Sequence, residues 1–107
     1  MQRVGFLLKV KQDKVQQYRK MHEDVWPELL DALTRTGWHN YTMFIQDDGT
    51  IFGYCEVDES FLASLDGIAK EQVNLRWQEK FAPYFEIPPG SRPDQSMVVL
   101  EQYFHMD

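Results

Sequence analysis

Apolar and polar positions alternate from the first residues onward. In "RVGFLLKVK" (3–11), Val4, Phe6, Leu8 and Val10 interleave with Arg3, Gly5, Leu7 and Lys9. A period of two predicts a β-strand. The period then changes to that of a helix. Across 14–35 the apolar or aromatic positions are Val15, Tyr18, His22, Val25, Leu29 and Leu33, with Asp13 placed as an N-cap and Gly37 as a stop. Pro27 interrupts this run, because it lacks an N–H and disfavours the helical conformation at Trp26. Two helical segments joined near Asp24 to Trp26 are therefore expected. "HNYTMFIQ" (39–46) and "TIFGYCEV" (50–57) return to strand character, and Asp47-Asp48-Gly49 between them reads as a hairpin turn. Residues 59–83 are helical in pattern, with Phe61, Leu62, Leu65, Ile68, Val73, Leu75, Trp77 and Phe81 as apolar positions and Gly67 as the expected point of division. "PYFEIPPGSRPDQ" reads as an irregular loop, and "SMVVLEQYF" (96–104) as a last strand.

The order β-α-β-β-α-β predicts an α+β, ferredoxin-like domain spanning 1–107, with a four-stranded antiparallel sheet and helices on one face. Val4, Phe6 and Leu8 with Val98, Leu100 and Phe104 would supply the buried face. The opposite face would carry Lys9, Tyr41, Tyr54, Glu101 and Tyr103, a mixture that suits a pocket or a subunit contact. A homodimer covering that face is the expectation.

Composition narrows the partners. Apolar residues make up 43% and charged residues 26% of the 107, the profile of a globular domain and not of a disordered one. The balance of 11 basic to 17 acidic side chains, a net charge of −6, disfavours nucleic acid and anionic membrane as partners. No segment approaches the roughly 18 continuous apolar residues of a membrane span, and no signal-peptide pattern opens the chain, so a cytoplasmic location is expected. Cys55, the single cysteine, sits in an apolar run and reads as a buried small hydrophobe.

Known chemical motifs are few. His22, His39 and His105 form no HxxxH or HxH pair and there is no CxxC, so no metal site is expected. GxGxxG, GxxxxGK and GxSxG are absent, which removes the usual phosphate loops and the serine-nucleophile elbow. What remains is proton transfer and stacking. In "YRKMHEDVWPEL" (18–29), Tyr18, His22 and Trp26 recur every four residues and would share one helical face. An imidazole titrates near neutrality, at about 6.5 when unperturbed, and aromatic rings stack on the C–H patches of a sugar. The same stripe is also compatible with ordinary core or interface. Trp77 on its helix and Tyr41 on its strand share this ambiguity, and Arg92 in the proline-rich loop is a candidate to hold a carboxylate or a partner.

"YRKMHEDVWPEL", followed by "GWHNY" and "LRWQ", closely resembles the L-rhamnose mutarotase family, and the likeness runs from the first strand to the final "EQYF". The resemblance implies a homodimeric ferredoxin-like domain of the dimeric α/β-barrel type. It also implies exchange of the α and β anomers of L-rhamnopyranose without a cofactor, in bacterial rhamnose catabolism. By the same resemblance His22 is the proton donor, and Tyr18, Tyr41 and Trp77 contact the sugar. Gln78 stands where some members have a second tryptophan, and it would bind a hydroxyl in place of stacking. Two other readings share the architecture: a cofactor-free monooxygenase or isomerase acting on apolar rings, and a non-catalytic ligand-binding module.

Overall fold

The computed structural model of the chain describes residues 1–88 and 90–107. β1 (Gln2–Lys9) lies inside a four-stranded antiparallel sheet whose order is β2 (Trp38–Ile45), β3 (Thr50–Val57), β1, β4 (Val98–Leu100). Along its whole length it pairs with β3 (Thr50–Val57), from Gln2 opposite Val57 to Lys9 opposite Thr50. The pairing ends there. Val10 donates its backbone N–H to the Gly49 carbonyl at 2.8 Å and bridges Phe85 but lies outside the strand, which is shorter than the alternation suggested.

β2 (Trp38–Ile45) and β3 form the expected hairpin. Gly49 closes it at φ +97, and a Cβ there would fall 2.0 Å from the Val10 carbonyl oxygen. Only glycine satisfies both the backbone angle and that approach.

Pro27 divides the first helical run as its chemistry dictates. α1 spans Val15–Met21, and α2 spans Pro27–Arg35 with the proline in the first turn, where a missing N–H costs nothing. Asp13 does not cap α1; it lies in a 3-10 turn (Gln12–Lys14) ahead of it, and Lys14 occupies the cap position without a side-chain bond. Gly67 does not divide the second run either. α3 (Phe61–Ala69) passes through it, and the break falls at Lys70 and Glu71 before α4 (Gln72–Phe81). A Cβ on Gly67 would meet the Thr36 side chain at 3.1 Å. The residue is there for close packing of α3 against the end of α2, not for a turn.

The last strand is short. Only Val98–Leu100 (β4) is a strand, and 101–107 continues without one, leaving Tyr103 95% and Phe104 72% exposed. Its register sets Val99 opposite Phe6, and Val98 and Leu100 opposite Leu7 and Gly5. Val98 and Leu100 therefore face outward, opposite to the expectation, because a shift of one residue exchanges the faces of a strand. The proline-rich loop carries 3-10 turns at Ala82–Tyr84 and Pro93–Gln95, and Pro89 within it lies outside the described residues.

The core sits between the inner sheet face and the helices. Phe6, Val10, Ile51, Cys55, Val57 and Phe81 are its largest fully buried side chains. Cys55 is thus a core residue, and burial pushes its thiol up to about 11, with a smaller contribution from Glu56. Among the described residues no helix is long and apolar enough to cross a membrane.

Candidate active site

His22 follows the last turn of α1, its backbone N–H donating to the Tyr18 carbonyl at 3.1 Å. One helical turn separates the two side chains, so the rings lie together with centroids 4.7 Å apart. Tyr18 is buried, and its ring meets the edges or faces of Phe81 and Phe85 at 5.7 and 5.4 Å. His22 packs edge-on to Trp77 at 5.4 Å and to Phe81 at 5.5 Å. Trp77 comes from α4, where it stands one turn before Phe81. The first and last helices thus meet through aromatic rings around the imidazole.

Tyr41 reaches the same region by an irregularity in β2. His39 pairs with Glu56, but the next matched pair is Thr42 with Tyr54, three residues on one strand against two on the other. The extra residue is a β-bulge, with Asn40 at φ +48 and its amide donating to Glu56 Oε1 at 3.1 Å. Without it Tyr41 would occupy the outer face, where strict alternation from Trp38 puts it. With it, Tyr41 turns inward, stacks on Trp38 at 5.1 Å and meets Phe6 edge-on at 6.1 Å.

These side chains surround a cavity of about 260 Å³ between the sheet and the helices. That volume lies near the lower end for small-molecule sites and suits a compact ligand. Tyr18, His22, Tyr41, Trp77 and Gln78 all line it. Trp26, the third member of the sequence stripe, does not. It stands behind Trp77, edge to face at 5.0 Å, with the Lys80 ammonium 5.4 Å over its ring.

The electrostatics of the wall follow from burial. Removal from water lowers the pKa of His22, so the neutral imidazole is favoured, and its Nδ1 is buried without a hydrogen-bond partner. Burial raises the pKa of both Tyr18 and Tyr41, with the charges of Tyr18, Cys55 and Asp94 as smaller causes at Tyr41. Both phenols remain protonated and able to donate. The wall therefore offers an imidazole favoured in its neutral form beside two phenols that keep their protons.

Sequence reasoning did not single out Asn74 and Asp94, which also line the cavity. Asn74 lies one turn before Gln78 on α4, a spacing legible in the sequence. Asp94 had no local signal beyond Arg92, which does hold a carboxylate: that of Asp94, at 2.7 Å. Among the described residues no group of three or more His, Cys, Asp or Glu side chains is placed to hold a metal ion.

Sheet order, helix placement and cleft define the class, a ferredoxin-like α+β domain with a cavity between its sheet and its helices. Comparison with known proteins narrows it. The family model described as L-rhamnose mutarotase matches residues 3–106. Relatives named L-rhamnose mutarotase include those of Oceanobacillus iheyensis, 31% identical, and Pectobacterium carotovorum, 34% identical, each alignment covering 100% of both chains. The crystal structure of an L-rhamnose mutarotase from Formosa agariphila superposes over 100% of both chains with a TM-score of 0.82 at 26% identity. The chain belongs to the L-rhamnose mutarotase family, whose members are isomerases.

Proposed function

We propose that this protein interconverts the α and β anomers of L-rhamnopyranose in the cytoplasm, as a step of rhamnose catabolism, with His22 as its acid–base group. The observation that carries the reading is the position of His22: a titratable imidazole, held neutral by burial, on the wall of a cavity sized for a compact ligand. Full-length membership of the family supports the choice of sugar.

Anomer exchange needs little beyond proton movement. The C1 hydroxyl gives its proton to solvent water, the bond between C1 and the ring oxygen breaks, and that oxygen takes up a proton. The open aldehyde rotates about C1–C2 and closes on its other face with the roles reversed. His22 supplies the proton to the ring oxygen. A lowered pKa makes its imidazolium a stronger acid for this step, and the neutral form accepts the proton back. Such catalysis contributes typically 10²–10⁴-fold. Tyr18 and Tyr41 act as hydroxyl donors to the sugar, Trp77 offers a ring to its C–H face, and Gln78 contributes an amide.

The outer sheet face supports a homodimer. Phe44 and Phe52 lie exposed there with rings 6.3 Å apart, beside outward-facing Val98 and Leu100. A contiguous apolar face of this kind is best accounted for by a second copy. Saturation-transfer NMR on L-rhamnose tests the catalytic reading: added protein should accelerate anomer exchange well beyond the buffer rate. Exchange at the buffer rate overturns it.

A further inference from the structure

One side of the cleft is polar and buried. Asn74, Gln78 and Asp94 are each under 10% exposed, at 3%, 8% and 8%. Placing such groups out of water is unfavourable unless they are paired, so their pairing shows what each has left to offer. Gln78 Nε2 donates to Asn74 Oδ1 at 2.9 Å, and Asn74 Nδ2 donates to Asp94 Oδ2 at 3.0 Å. The backbone N–H of Asp94 returns to Gln78 Oε1 at 3.1 Å, closing the ring. From the other side Arg92 donates through Nε to Asp94 Oδ1 at 3.0 Å and through Nη2 to Oδ2 at 2.7 Å.

A carboxylate has about four acceptor positions and a primary amide two N–H donors. Asp94 Oδ2 accepts twice, while Oδ1 accepts only from Arg92. One acceptor position on Oδ1 and one N–H on each of Asn74 and Gln78 have no partner in the protein. All three residues line the cavity that His22 shares. A loop clamp alone would not require this surplus in residues that line the cavity. A polyhydroxylated ligand, whose every hydroxyl both donates and accepts, matches one spare acceptor flanked by spare donors.

We infer that Asp94, held in place by Arg92 and Asn74, accepts a hydroxyl of the bound sugar through Oδ1 and helps to set which sugar the cleft takes. Gln78 then both offers its spare N–H to the sugar and holds the 92–95 loop against α4. The inference rests on the mutarotase reading and adds to it a substrate-binding carboxylate. An analogue lacking the partner hydroxyl leaves the second acceptor position of Oδ1 unfilled, which is how a site built to bind a hydroxyl rejects ligands without it.

The test begins with wild-type exchange of L-rhamnose. If the wild type adds nothing to the buffer rate, the parent reading falls and this inference falls with it. With an active wild type, Asp94→Asn keeps the shape and removes the charge, and its kcat/KM should drop roughly tenfold to a hundredfold. Across the monodeoxy analogues of L-rhamnose, one should be handled equally poorly by wild type and variant, because the contact it lacks is the one the variant weakens. A folded variant with wild-type kcat/KM overturns the inference, as does a loss of equal size for every analogue, which marks a structural clamp only. Should the variant not fold, the wild type decides. NMR of its Asp94 carboxyl carbon and its Asn74 and Gln78 side-chain amides should show saturable shifts on titration with L-rhamnose, and unmoved signals at saturating sugar overturn the proposal.

Discussion

The imidazole of His22 lies 4.7 Å from the ring of Tyr18, centroid to centroid, with its Nδ1 buried and unpartnered. Tyr18 is locked between Phe81 and Phe85, so the contact fixes the histidine from below. The helix ends at His22 itself, where the chain turns toward Pro27. An aromatic floor thus carries an imidazole on the wall of the cavity.

Replacing His22 with Ala should reduce catalysed anomer exchange by about 10²- to 10⁴-fold, the range for loss of a general acid–base group. Stability should change little or increase when measured by urea denaturation, since the variant no longer buries an unpaired Nδ1. Undiminished exchange by saturation-transfer NMR would remove His22 from the mechanism.

Acid should weaken the fold through the same residue. The folded pKa of His22 lies below its ordinary value of 6.5, so between the two the unfolded chain binds more protons. Stability from this group is complete above about 6.5 and is lost as pH falls toward the folded pKa. Denaturation midpoints measured from pH 7.5 to 5 should decline in the wild type and decline less in His22→Gln. Parallel declines in the two proteins would contradict the assigned cause.

Asn40→Val tests the bulge. A β-branched residue at φ +48 should cost about 1–2 kcal/mol, whereas Asn40→Gly should be nearly neutral. Because the bulge turns Tyr41 into the cleft, KM for L-rhamnose should rise in the valine variant. Equal stability of the two variants by chemical denaturation would show that the left-handed backbone at this position is not needed.

The outer face is addressed by Phe44→Glu combined with Phe52→Glu. Charges placed on opposed exposed rings should convert the proposed dimer to a monomer in light scattering, with the far-ultraviolet dichroism unchanged. A wild type that is already monomeric would end the proposal of a second copy on this face.

Much of the fold was legible along the chain, for identifiable reasons. Alternation in 3–8 and 50–57 is a property of adjacent residues, and so is the helical spacing of Val15, Tyr18 and His22. Pro27 cannot continue a helix begun before it, though it can start one, which is why the joint after His22 was predictable. Gly67 misled because the same residue serves turns and close packing, and only the approach of Thr36 reveals which. The short β4 was overestimated since apolar character in "EQYF" does not reveal whether a partner strand continues beside it.

By itself the sequence determined the kinds of element, their order, and the pairing of Tyr18 with His22 on one turn. All of these depend on spacings of a few residues. Tertiary structure alone decided that Tyr41 faces the cleft, that Val98 faces away, and that Asp94 meets Asn74 across twenty residues of chain. Local periodicity repeats within a strand but carries no absolute phase. The phase comes from the neighbouring strand's register, where one extra residue at Asn40 reverses every side chain that follows.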